Sequence, residues 1–223
     1  MNNLSNVIRK YRPNWPLPTR LIGQGGYGKV YNTNNGRVMK VTFNNASNEF
    51  NILKQLKTAP YVPHVKNGNF IRISENNASG LFGGYYHPSA FIMNKVGGAN
   101  AMTLRNYKKK YEKKINKNAL NRRLLNHLSN LQVRGVLHRN LHGGNIIVTS
   151  TPSGKITGMW VIDFGSAKRI PRNGYNSGNL YHMLNRNNAE ETAKKLAKRR
   201  IEIRKNIRLL TNSKKRLGRS KSV

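Results

Sequence analysis

One aspartate constrains this chain more than any other residue. Asp163 is the only Asp among 223 residues, whereas Asn occurs 33 times. It follows the apolar pair Val161-Ile162, which is typical of a buried strand, and it stands directly before Phe164-Gly165. A lone Asp would fall before Phe-Gly by accident only rarely. We therefore expect this carboxylate to carry function.

A second motif lies upstream, in the run His138-Arg139-Asn140-Leu141-His142-Gly143-Gly144-Asn145. Together with Asp-Phe-Gly it resembles the catalytic loop H-R-D-L-x-x-x-N and the metal-binding D-F-G of protein kinases. The resemblance implies that Asn145 and Asp163 hold Mg²⁺ on the phosphates of ATP, and oxygen ligands suit this hard cation. The chain departs from the family at Asn140, which replaces the Asp proposed as catalytic base.

A glycine-rich segment near the N-terminus predicts strand, glycine turn, strand, and fits the kinase loop that covers the ATP phosphates. Glycines allow such a hairpin to lie against phosphates with its amides pointing inward. Dinucleotide-binding folds share the G-x-G-x-x-G spacing, but they need a helix directly after it and an acid about 20 residues on. Here a strand follows, and no acid occurs before Glu49. The resemblance assigns five residues to this loop: Gly23, Gly25, Gly26, Gly28 and Val30.

Lys40 follows an apolar pair and occupies the position of the kinase V-A-I-K lysine, which binds the α and β phosphates. By elimination its helix partner is Glu49, because the only other acid in the first 100 residues is Glu75. The spacing is shorter than usual in protein kinases, and Glu49 could instead be an ordinary acid in a first helical turn. The apolar spacing over 47–57 predicts a helix with Ser47 as its N-cap.

The segment 91–98 resembles the hinge between kinase lobes, where backbone groups pair with adenine, and this likeness assigns Met93 and Val96 to the nucleotide site. His142 stands where many protein kinases place Lys. The motif Leu-His-x-Gly-Asn also resembles the corresponding motif of aminoglycoside phosphotransferases and related small kinases. The residues assigned to catalysis are Asn140, Lys40, Glu49 and His142.

The resemblance to the protein kinase-like superfamily covers about residues 19–170 and implies an α+β bilobal fold. We expect an N-terminal extension over 1–18, a β-rich N-lobe over about 19–93 and a helical C-lobe over about 99–210. The C-lobe is truncated, because only 58 residues follow Gly165 and they contain no A-P-E. Similar economy occurs in short serine/threonine kinases of large DNA viruses, which the chain resembles, and in minimal basic-tailed kinases.

The C-lobe is predicted to contain a helix and a hairpin. The hairpin joins 146–148 to 156–162 through the turn 151–154. Gly135 ends the helix. The buried stripe of this helix consists of Leu120, Leu124, Leu128 and Leu131.

The charge is extreme, with 41 Lys and Arg against 7 Asp and Glu, a net of +34. Such a chain attracts polyanions, including nucleic acid, anionic membranes and acidic proteins, or carries a basic surface that only maintains solubility. No motif reads bases, so nucleic-acid binding would be independent of sequence. The tail 211–223 is predicted to be disordered. The candidate surface residues are Lys108, Lys109, Lys110, Lys194, Lys195, Lys198, Arg199, Arg200, Lys214, Lys215 and Arg216.

The loss of the catalytic Asp leaves the enzyme class open. An Asn amide can still orient a hydroxyl but cannot take its proton, and general-base contributions are about 10²–10⁴-fold. Phosphoryl transfer relies mainly on positioning and charge neutralisation. The expected function is therefore Mg-ATP binding, with either weak serine/threonine phosphotransfer or none, as in a pseudokinase. The alternative is a polyanion-binding protein on a kinase scaffold, for example a packaged virion protein.

Other features exclude several classes. No apolar stretch approaches the roughly 18–20 residues of a membrane span, and no apolar signal-peptide core is visible. The absence of Cys excludes disulfides, thiolate zinc sites and thiol catalysis. We expect an intracellular address, in the cytoplasm or nucleus of a host cell or in a virion.

Overall fold

The structure is a computed structural model that describes residues 2–74, 87–112 and 115–170. Two sets of predictions lie outside these ranges. The first is the end of the C-lobe with the tail 211–223. The second is the C-terminal part of the basic surface, namely Lys194, Lys195, Lys198, Arg199, Arg200, Lys214, Lys215 and Arg216.

An antiparallel sheet forms the N-terminal part, with the strand order β1-β2-β3-β5-β4. The glycine-rich turn joins the first two strands, as predicted, and an Asn-Asn-Gly turn joins the second to the third, where Gly36 has a φ of 75° that the hairpin requires. The central strand β3 is buried throughout. The strands are β1 (Pro18–Gly25), β2 (Gly28–Thr33), β3 (Val38–Thr42), β4 (Val65–Arg72) and β5 (Ser89–Met93).

Helix α1 (Asn2–Tyr11) covers one face of this sheet. Leu4, Val7 and Ile8 have i, i+3, i+4 spacing, which places them on one side of a helix. They are buried together with Met39 of β3 in one cluster. The sequence predicted only an extension for this segment, whereas its helix contributes to the core of the N-lobe.

Helix α2 (Ser47–Gln55) packs on the other face through Phe50. The prediction that Ser47 caps this helix is wrong. The N-cap is Ala46, whose own side chain makes no capping hydrogen bond. The Ala46 N–H donates to the hydroxyl of Ser89 at 2.8 Å, a residue from a distant strand. The Ser47 N–H donates to Oδ1 of the neighbouring Asn45 at 2.9 Å, so a local and a distant side chain both hold the start of the helix.

Within the described residues, the C-terminal part contains two helices and five short strands. Its three-stranded sheet has the order β6-β8-β9, and β7 pairs with β10. All four leucines of the predicted stripe are buried, which confirms that prediction. Gly135 follows the second helix with a φ of 75°. The elements are β6 (Met102–Thr103), α3 (Leu104–Tyr111), α4 (Lys117–Val133), β7 (Val136–Leu137), β8 (Ile146–Ser150), β9 (Ile156–Val161) and β10 (Lys168–Arg169).

These elements form the α+β arrangement of two lobes that the sequence predicted. One hydrophobic cluster contains residues of α2, α3, α4, β8 and β9, so it runs from α2 of the first lobe into the second lobe. The lobe boundaries given by the sequence stay predictions. None of the helices in the described ranges is long and apolar enough to cross a membrane.

Candidate active site

The site is built around the ammonium group of Lys40. This residue lies on β3 and is buried, and it pairs across the sheet with Phe91, which belongs to the cluster on the α2 side. Its Nζ donates to both carboxylate oxygens of Glu49 at 2.8 Å and to Oδ1 of Asp163 at 2.7 Å. Lys40 and Glu49 are therefore in contact despite a spacing of only nine residues.

A short connection explains how Glu49 reaches Lys40 from the first turn of α2. The hydroxyl groups of Thr42 and Ser89 lie 2.8 Å apart, and Ser89 also donates to the carbonyl oxygen of Asn44 at 3.0 Å. These bonds hold the end of β3 against β5, so that α2 begins directly above the sheet. The start of the helix, rather than its middle, then lies over Lys40.

Two hydrogen bonds join α2 to the segment that follows β9. Glu49 Oε1 accepts the backbone N–H of Phe164 at 3.1 Å, and the Asn48 amide donates to the carbonyl of Ala167 at 3.1 Å. Asp163 has a φ of 64°, which is uncommon for residues other than glycine. At this turn the Asp163 carboxylate contacts Lys40 while the next side chain, Phe164, is fully buried.

Loop 138–145 is held by its own residues and by the end of β9. The buried ring of His138 donates from Nε2 to the carbonyl of Ile162 at 3.0 Å. Asn145 donates from its amide to the carbonyl of Asn140 at 2.9 Å, and its own carbonyl accepts the N–H of Ile162 at 3.0 Å. The shape of the loop thus depends on the backbone of Asn140, whose side chain is exposed.

The ion pairs fix the charge state of Lys40 and Asp163. Burial opposes the charged form of Lys40, but attraction to Glu49 and Asp163 outweighs it, and the pKa of Lys40 is raised. Burial also opposes the charged form of Asp163, but the pKa of this carboxyl is lowered because Lys40 attracts and hydrogen-bonds it. Both groups are therefore charged at neutral pH.

Burial is the largest influence on the pKa values of Glu49 and His138. Burial raises the pKa of Glu49, although Lys40 and the Phe164 N–H favour its charged form. Burial lowers the pKa of His138 against the opposing effect of its bond to Ile162. His138 is thus a neutral ring at pH 7 that orders the loop.

The glycines of the predicted nucleotide loop differ in what requires them. A Cβ on Gly28 would lie 2.4 Å from the carbonyl oxygen of Val41, so the close approach of β2 and β3 demands glycine there. A Cβ on Gly25 or Gly26 would have no neighbour within 4 Å, and one on Gly23 would make ordinary contact. Space therefore exists over the loop, where a phosphate chain needs it.

The remaining nucleotide residues lie along β2, β5 and the segment leaving the sheet. Val30 on β2 pairs with Lys40, and Met93 ends β5 opposite Val38. Val96 is half-buried in the connection to the C-lobe, before glycines at 97 and 98 that both have positive φ. The adenine contacts assigned to Met93 and Val96 stay predictions.

His142 is exposed, and its Nδ1 accepts the N–H of Gly144 at 3.0 Å. In the neutral imidazole this bond leaves the proton on Nε2. The ring is therefore arranged to donate a hydrogen bond rather than to remove a proton.

A cleft of about 470 Å³ opens beside Asn140. Sequence reasoning missed most of its lining, although Arg139 lies inside the quoted loop motif and Lys168 follows Asp-Phe-Gly by three residues. Arg139 has a φ of 66°, so the backbone turns between buried His138 and the cleft. The cleft is lined by Tyr27, Asn48, Arg139, Asn140, Gly165, Ser166, Ala167 and Lys168.

The residues present fit Mg²⁺ bound to ATP phosphates. The described residues contain no group of three or more His, Asp or Glu that could hold a metal alone. Mg²⁺ commonly takes one or two protein oxygens and completes its shell with phosphates and water. Asp163 supplies a carboxylate, and the Asn145 amide nitrogen is held by Asn140, which leaves the Asn145 amide oxygen for a cation.

Comparison with solved structures shows the fold. The chain resembles the BubR1 kinase domain with a TM-score of 0.47 and 17% identity, covering 72% of this chain and 50% of that one. It resembles the kinase domain of PF14_0431 with a TM-score of 0.50 and 18% identity, covering 73% of this chain and 53% of that one. The chain thus spans about half the length of these kinase domains.

Comparison with protein sequences gives the family. No curated protein matches the chain. Residues 84–196, just over half of the 223, match the ABC1 atypical kinase-like domain, a range that contains Asn140, Asn145 and Asp163. Together with the kinase-like fold, this match establishes that the protein belongs to the ABC1 atypical kinase-like domain family.

Proposed function

We propose that the cleft between the two lobes binds Mg-ATP. The observation that carries the proposal is the buried contact of Lys40 with both Glu49 and Asp163. In protein kinases the corresponding Lys–Glu pair and the Asp–metal contact must both be in place for phosphoryl transfer. The fully buried Phe164 supports the proposal, because it keeps Asp163 turned toward Lys40.

Each residue has a role in this proposal. Lys40 binds the α and β phosphates as a fixed cation, while Asn145 and Asp163 hold Mg²⁺. The glycine-rich turn covers the phosphates with backbone N–H groups, in the space left at Gly25 and Gly26. Bound Mg²⁺ neutralises charge on the phosphates. Met93 and Val96 contact the adenine.

The proposed activity toward serine or threonine is weak or absent. Asn140 can orient a hydroxyl but cannot accept its proton. The only acids in the described ranges are Glu49, Glu112 and Asp163, and two of these are bound to Lys40. His142 has its unprotonated nitrogen occupied by Gly144. The chain is thus a slow phosphotransferase or a pseudokinase.

Thermal denaturation with and without Mg-ATP tests nucleotide binding. A ligand at 100 times its dissociation constant adds about 2.7 kcal/mol to the free energy of unfolding. Asp163→Ala should abolish the increase in Tm, and Glu112→Gln, which removes an exposed acid, should retain it. Both variants become more positive, so non-specific attraction of ATP would raise Tm in both. No shift in the wild type at millimolar Mg-ATP would contradict the proposal.

A transfer assay with radiolabelled ATP and a serine/threonine peptide separates slow enzyme from pseudokinase. Asn140→Asp restores a base at a side chain of almost the same shape. We expect the rate of transfer to rise by roughly 10²–10⁴-fold. A wild-type rate in the ordinary kinase range of about 1–100 s⁻¹ would contradict the role given to Asn140.

A second candidate function, polyanion binding, is favoured by the surface of α3. Lys108, Lys109 and Lys110 are consecutive and exposed there. Arg122 and Arg123 are exposed on α4. These exposed cations add to the charge that the sequence carries beyond residue 190, and duplex DNA or RNA is the proposed partner. Association with a viral particle, and a cytoplasmic or nuclear address, remain proposals from sequence resemblance and charge.

A further inference from the structure

We propose that the preferred phosphoryl acceptor of this cleft is an oxygen that is already ionised, on a carboxylate or a phosphate, rather than a neutral hydroxyl. The inference rests on the proposed binding of Mg-ATP as phosphoryl donor. It names the acceptor class that this cleft suits. Three observations on the described residues carry it: the missing base, the basic lining and the neutral side chain at Asn140.

The first observation concerns protons. A hydroxyl acceptor must lose its proton during transfer, and none of the described groups beside Asn140 is arranged to take it. Glu49 and Asp163 are engaged by Lys40, and the acceptor nitrogen of His142 is engaged by Gly144. A carboxylate is ionised above about pH 4, and a phosphate carries about two charges near neutral pH. Such acceptors need no base.

The second observation concerns the lining of the cleft. Arg139 and Lys168 are both exposed and line it, and none of its described lining residues is an acid. The backbone of Lys168 is held by pairing with Leu137, the residue directly before the loop 138–145, in the two-stranded sheet β7–β10. Arg and Lys are the side chains that bind carboxylate and phosphate through charge-assisted hydrogen bonds. The two cations therefore favour an anionic acceptor.

The third observation concerns charge at position 140. An Asp there would place a negative charge in the lining of the cleft that must accept the anion. Asn140 keeps the shape and the hydrogen-bonding oxygen but removes this repulsion. The net charge of +34 acts in the same direction, because it raises the rate at which anions encounter the cleft.

The reaction balances without a proton. The acceptor oxygen forms a new bond to the γ-phosphorus while the bond between this phosphorus and the β,γ-bridging oxygen breaks. The electron pair leaves with ADP. A carboxylate acceptor gives an acyl phosphate, and a phosphate acceptor gives a phosphoanhydride. Arg139 and Lys168 hold the acceptor, and Lys40 holds the donor.

Anion binding is tested first, without nucleotide. Inorganic pyrophosphate and succinate serve as the phosphate and carboxylate probes, with affinity measured by calorimetry at about 150 mM salt, where the Debye length is about 8 Å. Arg139→Gln and Lys168→Gln should each weaken binding by roughly tenfold to a hundredfold. The matched changes Arg72→Gln and Lys66→Gln, at exposed sites on β4, should leave affinity unchanged. Equal losses in both pairs would show general charge attraction and overturn the proposal.

Transfer is tested next, with Mg-ATP and three acceptors: pyrophosphate, succinate and a neutral serine peptide. We expect faster transfer to an anionic acceptor than to the peptide. Hydroxylamine traps an acyl phosphate but not a phosphoanhydride, so it distinguishes the product of a carboxylate acceptor from that of a phosphate acceptor. Asn140→Asp should reverse the preference, because it accelerates transfer to serine by roughly 10²–10⁴-fold and slows transfer to the anion by about fivefold or more.

The outcomes separate this inference from the proposed function. If the thermal shift with Mg-ATP is present but only the peptide is phosphorylated, or no acceptor reacts, the anionic-acceptor proposal is wrong and nucleotide binding stands. If Mg-ATP does not raise Tm, the proposed nucleotide binding is wrong, and the proposed transfer to an anionic acceptor is then wrong as well. If Asn140→Asp accelerates all three acceptors equally, the argument from charge is wrong.

Discussion

The carboxylate of Glu49 and the backbone N–H of Phe164 are joined by a hydrogen bond of 3.1 Å, between residues that lie 115 positions apart. The same oxygen of Glu49 accepts a hydrogen bond from Lys40. Glu49 therefore couples α2 to the buried ion pair and to the segment that contains Phe164. If α2 moved away from the sheet, Glu49 would lose its bonds to both Lys40 and Phe164.

Removal of the Lys40 ammonium group, which lies at the centre of this network, should strongly lower the free energy of unfolding. Lys40→Met leaves the carboxylates of Glu49 and Asp163 close together without the cation that they share, and we expect a loss of about 3–5 kcal/mol in the free energy of unfolding. Urea denaturation measures the change. Lys66→Met removes an exposed lysine from β4 and should cost less than about 0.5 kcal/mol. Similar costs for both variants would contradict the structural role of Lys40.

Two glycines of the nucleotide loop should respond in opposite ways. Gly28→Ala forces a Cβ against the carbonyl of Val41 and should cost about 1–3 kcal/mol of stability. Gly25→Ala meets no neighbour, so we expect unchanged stability but a smaller Tm increase with Mg-ATP. Thermal denaturation of both variants with and without the ligand measures the two effects. An unchanged ligand response in Gly25→Ala would remove this turn from the nucleotide site.

Acidification should destabilise the fold through His138. Burial lowers the pKa of His138 in the folded protein, so the unfolded chain binds a proton at a higher pH than the folded one. Its contribution is complete above about pH 6.5 and is lost as the pH falls toward the folded pKa, with a slope of at most about 1.4 kcal/mol per pH unit.

The contribution of His138 can be isolated by difference. The raised pKa of Glu49 acts in the opposite direction, because its folded form binds a proton first on acidification. His138→Gln should make the pH dependence of stability shallower below about pH 6.5, measured by urea denaturation. A wild-type slope in His138→Gln would show that the ring does not titrate in this way.

Replacement of the buried side chains of α1 by alanine should destabilise the N-lobe. Ile8 is fully buried and Leu4 nearly so, and Ile8→Ala or Leu4→Ala should each cost about 2–5 kcal/mol. Arg9→Ala, on the exposed side of the same helix, should cost less than about 0.5 kcal/mol. Denaturation midpoints compare the three variants. If all three are as stable as wild type, α1 does not contribute to the core.

Polyanion binding should depend on salt through the lysines of α3. Each phosphate neutralised on duplex DNA contributes about −0.9 to the slope of log K against log salt. A triple change of Lys108, Lys109 and Lys110 to Gln should thus reduce the slope by up to about 2.7. A triple change of Arg20, Lys66 and Arg72 to Gln is the charge-matched control on β1 and β4. Absence of DNA and RNA binding by the full chain near 150 mM salt would contradict this function.

Local signals made the strands and the α4 stripe predictable. The glycine turn and the Asn-Asn-Gly turn fix hairpins from a few adjacent residues. The contact of Lys40 with Glu49 was also predictable, because few acids were available to compete. Helix α1 was missed because its Asn-rich composition conceals the three apolar residues at helical spacing.

Contacts between distant segments could not be predicted. The N–H of Ala46 is satisfied by Ser89, which arrives only when β5 is in place. The bonds of Glu49 to Phe164 and Asn48 to Ala167 each span more than a hundred residues. The basic cleft was missed for the same reason, since Lys168 lies beside the catalytic loop only after β10 pairs with β7. Pairings of two residues leave no periodic pattern in a sequence.

The side chain of Asn145 fastens loop 138–145 by bonding to the carbonyl of Asn140, not to its side chain. The scaffold of the loop is therefore indifferent to which group residue 140 displays. Exchange between an amide and a carboxylate at this position therefore requires no rearrangement of the bond that holds the loop. The chemical group displayed at residue 140 can change in either direction while the backbone that presents it stays the same.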